Sequence, residues 1–318
     1  MADPSSSSSH HDPIVTVTEL EPIPEVFDDR ATGRYVYGEG VRTPLIICFH
    51  GSGETCSPNW DGLATRLRDE TPCGVLLYNR APGNQQPMEV AAQIWDFLHE
   101  ADHRRSRHEN IRDESASQSE YRGKGPYLLV AHSYGGAFAR AFVQHLHKFP
   151  QSQKRKYPND RVMGLVLVET GQEGGLDPRL DEQQIRHKIM GNRPVCVIRG
   201  NTLIEKRREL EDREQTLNSP SQAGTMNIAI KKQQLKEEWD MYHRWDANDE
   251  RLKRRQLGLS NKNDFVSLPG CGHHVIRHRP DAVVAAVQWV LENVEEKRSK
   301  FEIMQQNLKN SITRILSR

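Results

Sequence analysis

The sequence predicts an α/β fold, with a mostly parallel central sheet flanked by helices on both faces. Three observations carry that prediction: short, wholly apolar runs recur along the chain, amphipathic stretches of helical period separate them, and the two kinds of segment alternate. The runs lie at 45–49 (LIICF), 74–78 (GVLLY), 127–131 (YLLVA), 164–168 (GLVLV), 194–198 (PVCVI) and 265–268 (FVSL). Most of them lack internal alternation, so both faces are apolar, as a parallel strand covered by helices on each side requires. Between them, apolar residues recur at spacings of three and four over 88–103, 135–149, 228–245 and 281–296, which predicts helices that bury one stripe.

The remaining segments are polar and read as additions to that frame. Residues 1–13 are Ser, His, Pro and Asp without period and are expected to form a disordered leader. Residues 14–297 form the expected main domain, with polar insertions at about 100–124 and 151–161 and a short covering segment, or lid, at about 170–193 containing Gly171, Gly174 and Gly175. Residues 203–255 read as long surface helices, with the basic run 251–255 (RLKRR) as a solvated face. In the tail, 298–318, Phe301, Met304, Leu308, Ile312 and Ile315 form one stripe, for a helix that packs on its own domain or pairs with a second copy in a homodimer.

Composition narrows the function. Lys and Arg number 44 against 43 Asp and Glu, so the net charge of +1 gives no general reason to expect nucleic acid or an anionic membrane as partner. No run approaches the roughly 18 to 20 apolar residues of a membrane span. The five cysteines, at 48, 56, 73, 196 and 271, form no CxxC pair, which fits a reducing, cytoplasmic setting.

The strongest chemical signal is YLLVAHSYGG at 127–136. A strand runs directly into Ser133, and Gly135 and Gly136 open a helix. A serine on such a turn is held in a cramped backbone conformation with its hydroxyl pointing out of the sheet, and the helix directs its positive end at the same point. The pattern is G-x-S-x-G with Ala131 at the first glycine. A hydroxyl needs a base, and Gly270-Cys271-Gly272-His273-His274 follows the last strand on a loop that can lean back over the sheet. His273 is preferred because two glycines precede it. Adjacent His274 and nearby His278 raise a metal cluster as the alternative, but no matching carboxylate or cysteine spacing accompanies them. An oxyanion needs two convergent N–H donors: Tyr134 supplies one, and Ser52, in the loop His50-Gly51-Ser52-Gly53 after LIICF, is the candidate for the other.

Together HGSG after a strand, GPYLLVAHSYGG, GLVLVE and GCGHHVIRHRP resemble the α/β-hydrolase superfamily over roughly residues 34–296, and are similar to its small-lid esterase-like members, in which Pro280 stands seven residues past the catalytic histidine. The resemblance implies a sheet of about eight strands, the order serine, acid, histidine, and no organic cofactor. In many members the acid is an aspartate just after the strand that reads PVCVIRGN here, where this chain has Asn201; a neutral amide cannot balance an imidazolium. In a smaller set the acid stands one strand earlier, which points to Glu169, with Asp264, Glu205 and Asp177 as alternatives. The expected activity is cleavage of an ester, thioester or lactone of a small molecule by Ser133, His273 and Glu169. Two other classes fit the same residues: a ligand-binding module without turnover, and a lyase, acyltransferase or cyclase that uses the triad differently.

Overall fold

Alternate residues of each central strand enter two separate cores. Phe49, Ala131, Leu167 and Val197 pack on one side of the sheet, while Cys48, Val130, Val168 and Ile198 pack on the other. This is why the runs lack a polar face. The computed structural model describes residues 32–36, 44–80, 86–105, 125–156, 161–171, 175–219 and 227–294. The leader at 1–13, residues 106–124 of the first insertion and the tail stripe from Phe301 to Ile315 lie outside the described residues.

Among the described residues the sheet has seven strands: β1 (Thr32–Val36), β2 (Leu45–Phe49), β3 (Gly74–Asn79), β4 (Tyr127–His132), β5 (Val162–Val168), β6 (Val195–Arg199) and β7 (Asn263–Ser267). Their order is β1-β3-β2-β4-β5-β6-β7. Only β1 is antiparallel; the other six run parallel. Helices α1 (Asp61–Glu70), α2 (Pro87–Arg105) and α3 (Gly135–His147) follow β2, β3 and β4, and α4 (Gln151–Lys156) occupies part of the second polar insertion. Val90, Ile94, Phe138 and Phe142 bring α2 and α3 into the first core. The second is covered by α1 and by the last helix, α8 (Pro280–Asn293), through Leu63, Leu67, Val283 and Val287.

Two excursions leave this frame. After β5 the chain forms α5 (Pro178–Arg186), capped by Asp177, whose carboxylate accepts from the N–H groups of Arg179 and Leu180 at 2.7 and 3.2 Å. A longer one, between β6 and β7, contains α6 (Ile204–Asn218), α7 (Ile228–Arg255) and a short 3-10 turn, Gln256–Leu259. Leu210, Leu235 and Tyr242 seal α6 against α7 in a small core of their own. The basic run at 251–255 is therefore not uniformly solvated: Lys253 is only 1 % exposed. A buried ammonium needs carboxylates close by, and Asp249 and Glu169 supply them. No helix among the described residues is long and apolar enough to cross a membrane.

Candidate active site

Six parallel strands place their carboxyl ends along one edge, where loops from different strands converge. That edge gathers the 50–53 loop after β2, Arg80 after β3, Ser133 after β4, Glu169 after β5, Gly200 to Thr202 after β6 and His273 after β7.

Ser133 has φ of 53°, the left-handed region that costs a non-glycine residue roughly 1 to 3 kcal/mol. Hydrogen bonds hold it there. Its N–H donates to the carbonyl of Val168 at 3.0 Å and its carbonyl accepts from Gly136 at 3.0 Å. The helix behind it approaches β2 so closely that a Cβ on Gly135 would lie 2.3 Å from the carbonyl oxygen of Phe49. Gly51 faces Ser133: a Cβ there would lie 3.5 Å from Ser133 Oγ.

The loop carrying Ser52 is oriented by Arg80, whose Nη1 and Nη2 donate to the carbonyls of His50 and Gly51 at 2.7 and 2.8 Å. In a trans peptide the N–H points opposite to the carbonyl, so the N–H groups of Gly51 and Ser52 are turned away from Arg80. Gly51 also accepts from His50 Nδ1 at 2.9 Å. Tyr134 precedes the first turn of α3, and its ring packs edge-on against Phe138 at 5.2 Å.

Glu169 shares the left-handed backbone of Ser133, with φ of 54°. Its side chain is fully buried, and each oxygen has two partners. Oε1 accepts from the N–H of Gly200 at 2.6 Å and from Lys253 Nζ at 2.8 Å. Oε2 accepts from Thr202 Oγ1 at 2.6 Å and meets His273 Nδ1 at 3.2 Å. Burial by itself would raise this carboxyl. The bond with His273, the charge and bond of Lys253, and Thr202 outweigh it and hold the group at about 2. Lys253 is in turn bound by Asp249 at 2.5 Å, and Asp249 pairs with Arg199 at 3.0 Å. A buried chain of alternating charge thus ties α7 to Glu169.

His273 sits on the loop after β7. His132, next to Ser133, donates through Nε2 to the carbonyl of His273 at 2.9 Å, and the two rings stand 4.8 Å apart. Burial, above all, lowers His132 to about 4, so it is neutral at physiological pH and serves as a strut for the histidine loop. His274 is more exposed and faces Glu54 at 3.7 Å. Among the described residues no group of three His, Cys, Asp or Glu is placed to hold a metal ion.

The other candidate acids stand elsewhere. Asp177 caps α5; Glu205 is exposed and pairs with Arg208 at 2.6 Å; Asp264 lies near the start of β7, opposite Cys196. Asn201 shapes the turn into α6: its Oδ1 accepts from Leu203 N–H at 3.1 Å and its Nδ2 reaches the carbonyl of Pro269 at 3.4 Å. Sequence reasoning missed Arg80, His132, Thr202 and Lys253. Only position could have hinted at them: Arg80 follows a strand directly, and His132 precedes the serine.

A cavity of about 630 Å³ opens at the opposite end of the sheet, lined by Val162, Gln184, Lys188 and Pro194 among others. It lies where β5 and β6 begin, away from Ser133 and Glu169, and no serine lines it.

A family profile agrees with this architecture. The profile of the family described as "Alpha/beta hydrolase family" matches residues 46–286. The curated protein "Probable transporter efuK" of Hormonema carpetanum is 31% identical over 312 residues, an alignment covering 80% of this chain and 40% of that protein. The chain thus spans about two fifths of that relative's length. Among solved structures, a predicted CIB-like hydrolase from Thermoplasma acidophilum is 14% identical with a TM-score of 0.45, covering 83% of this chain and 93% of that one. A thermophilic esterase from Thermogutta terrifontis is 16% identical with a TM-score of 0.40, covering 83% and 94%.

Proposed function

This chain belongs to the alpha/beta hydrolase family, and from that premise we propose that it is a serine hydrolase that cleaves an ester, thioester or lactone of a small molecule. The observation that carries the reading is the buried Glu169 carboxylate at 3.2 Å from His273 Nδ1, on the loop that His132 ties to the elbow of Ser133.

Ser133 Oγ attacks the substrate carbonyl while His273 takes its proton. Nδ1–H of His273 donates to Glu169, which fixes the tautomer and stabilises the imidazolium as it forms. The N–H groups of Ser52 and Tyr134 receive the oxyanion; the orientation Arg80 imposes on the Gly51–Ser52 peptide supports that role. Collapse of the tetrahedral intermediate returns the proton to the leaving group and leaves an acyl-serine, which water resolves by the same steps in reverse order. The absence of an acid at position 201 would favour a binding module without turnover, but Glu169, ionised and aimed at His273, supports the catalytic reading.

The test is turnover on a panel of short-chain aryl esters, thioesters and lactones by the wild type and Ser133→Ala. Hydrolysis abolished in the variant is expected. Equal hydrolysis by both proteins would remove Ser133 from the chemistry.

A further inference from the structure

Arg80 is a half-buried cation with more hydrogen-bond donors than partners among the described residues. The two most buried arginines among the described residues, Arg140 and Arg199, each hold a carboxylate, Asp181 at 2.6 Å and Asp249 at 3.0 Å. Arg193, which has no carboxylate, engages four acceptors: the carbonyls of Met190, Val162 and Ile189, and His147 Nε2. Arg80 donates to the carbonyls of His50 and Gly51, and its guanidinium carbon lies 4.3 Å from the centre of the Phe138 ring. Of a guanidinium's five N–H donors, two are engaged among the described residues. No carboxylate pairs with it among the described residues, and the sequence that follows, Ala-Pro-Gly-Asn-Gln-Gln at 81–86, carries no acid.

Its place is at the catalytic edge. Arg80 Nη2 is 2.8 Å from the Gly51 carbonyl oxygen, and the Cβ direction of the same residue ends 3.5 Å from Ser133 Oγ. Joined through one residue's covalent dimensions, these distances put the guanidinium within roughly 10 Å of the nucleophile. Burial is the main cause that lowers Arg80 to about 10.

We propose that Arg80 anchors an anionic substituent of the substrate, a carboxylate a few bonds from the scissile carbonyl; this deepens the serine-hydrolase reading and rests on it. A charged acid in water is heavily solvated, so a neutral pocket rejects it, whereas a guanidinium with free donors supplies both charge and geometry. The substrate class is then a half-ester, half-thioester or lactone that carries a free carboxylate.

The experiment compares two near-isosteric ligands, monomethyl succinate and neutral methyl levulinate, as protectants against fluorophosphonate labelling of Ser133 at constant ionic strength. The anion should protect at about tenfold lower concentration or less, the scale of one charge-assisted hydrogen bond. Arg80→Gln should remove that preference whatever it does to the labelling rate, and Arg80→Lys should keep part of it. Equal protection by the two ligands, or a preference that survives in Arg80→Gln, overturns the proposal. If Arg80→Gln does not fold, the wild-type comparison decides alone. If wild-type Ser133 is not labelled, the hydrolase reading has failed, and calorimetric titration with the same pair judges the subsite: tighter binding of the anion upholds it, and equal binding overturns it.

Discussion

Replacing Lys253 with methionine keeps most of the side-chain volume and removes one charge from a site where two carboxylates depend on it. Lys253 Nζ is 2.8 Å from Glu169 and 2.5 Å from Asp249, with the lysine 1 % exposed. Removing one member of a buried ion pair leaves its partner uncompensated, at a cost of about 3 to 5 kcal/mol. The depressed Glu169 carboxyl agrees in direction: against burial, the bond with His273, the charge and bond of Lys253, and Thr202 together hold it at about 2. For a domain of this size each kcal/mol shifts Tm by about 2 to 4 °C, so the variant should melt roughly 6 to 20 °C lower at pH 7. The pH dependence has a definite sign. A carboxyl held below its unfolded value contributes its stability above about 4.5 and loses it as pH falls toward about 2. The gap between wild type and Lys253→Met should therefore be widest near neutral pH and should close through that window as the carboxylates protonate. Thermal melts of both proteins by circular dichroism from pH 7 to pH 3 measure it. A variant that melts within about 2 °C of wild type at pH 7, or a gap that widens in acid, would refute the buried-charge reasoning.

Other outcomes follow from the same geometry. Glu169→Gln should lower kcat by roughly three to four decades, because an amide no longer fixes the tautomer or the charge of His273. It should also lower Tm, since Lys253 keeps only Asp249 as a charged partner; retained activity would remove Glu169 from the triad. Gly135→Ala forces a methyl group to 2.3 Å from the Phe49 carbonyl and 2.8 Å from that of His50; the overlap is with backbone, so a loss of about 2 kcal/mol or more in a denaturant titration is expected. An unchanged midpoint would mean that α3 can draw back from β2.

The sheet was legible because its physics is local. Six runs became strands β2 to β7 with ends displaced by at most two residues; those of β2 to β6 are apolar over consecutive residues, since a strand covered on both faces must be apolar on both, whereas β7, at the end of the sheet order, is exposed or half-buried. β1, TGRYV, has no such signature; it is an edge strand paired only with β3. The shared edge of Ser133, Glu169 and His273 was legible because each follows a strand of a parallel sheet, and that topology brings their loops together. Lys253 was not: it lies in a run of basic residues, and only the fold carries it across 84 positions to Glu169. Its burial depends on partners that no local pattern encodes. Arg80 is similar, since an arginine after a strand carries no signal until its carbonyl partners on the neighbouring loop are in place. Glu169→Gln illustrates the difference: sequence alone implies a change in rate with the fold left intact, whereas the buried lysine adds a cost in stability.

The proposed chemistry depends on an activated Ser133, and intact-mass labelling with a fluorophosphonate measures that activation without the natural substrate. One adduct per chain on the wild type, absent from Ser133→Ala, is the predicted result. A folded wild-type protein that takes up neither the fluorophosphonate nor a smaller phosphonylating reagent would contradict it.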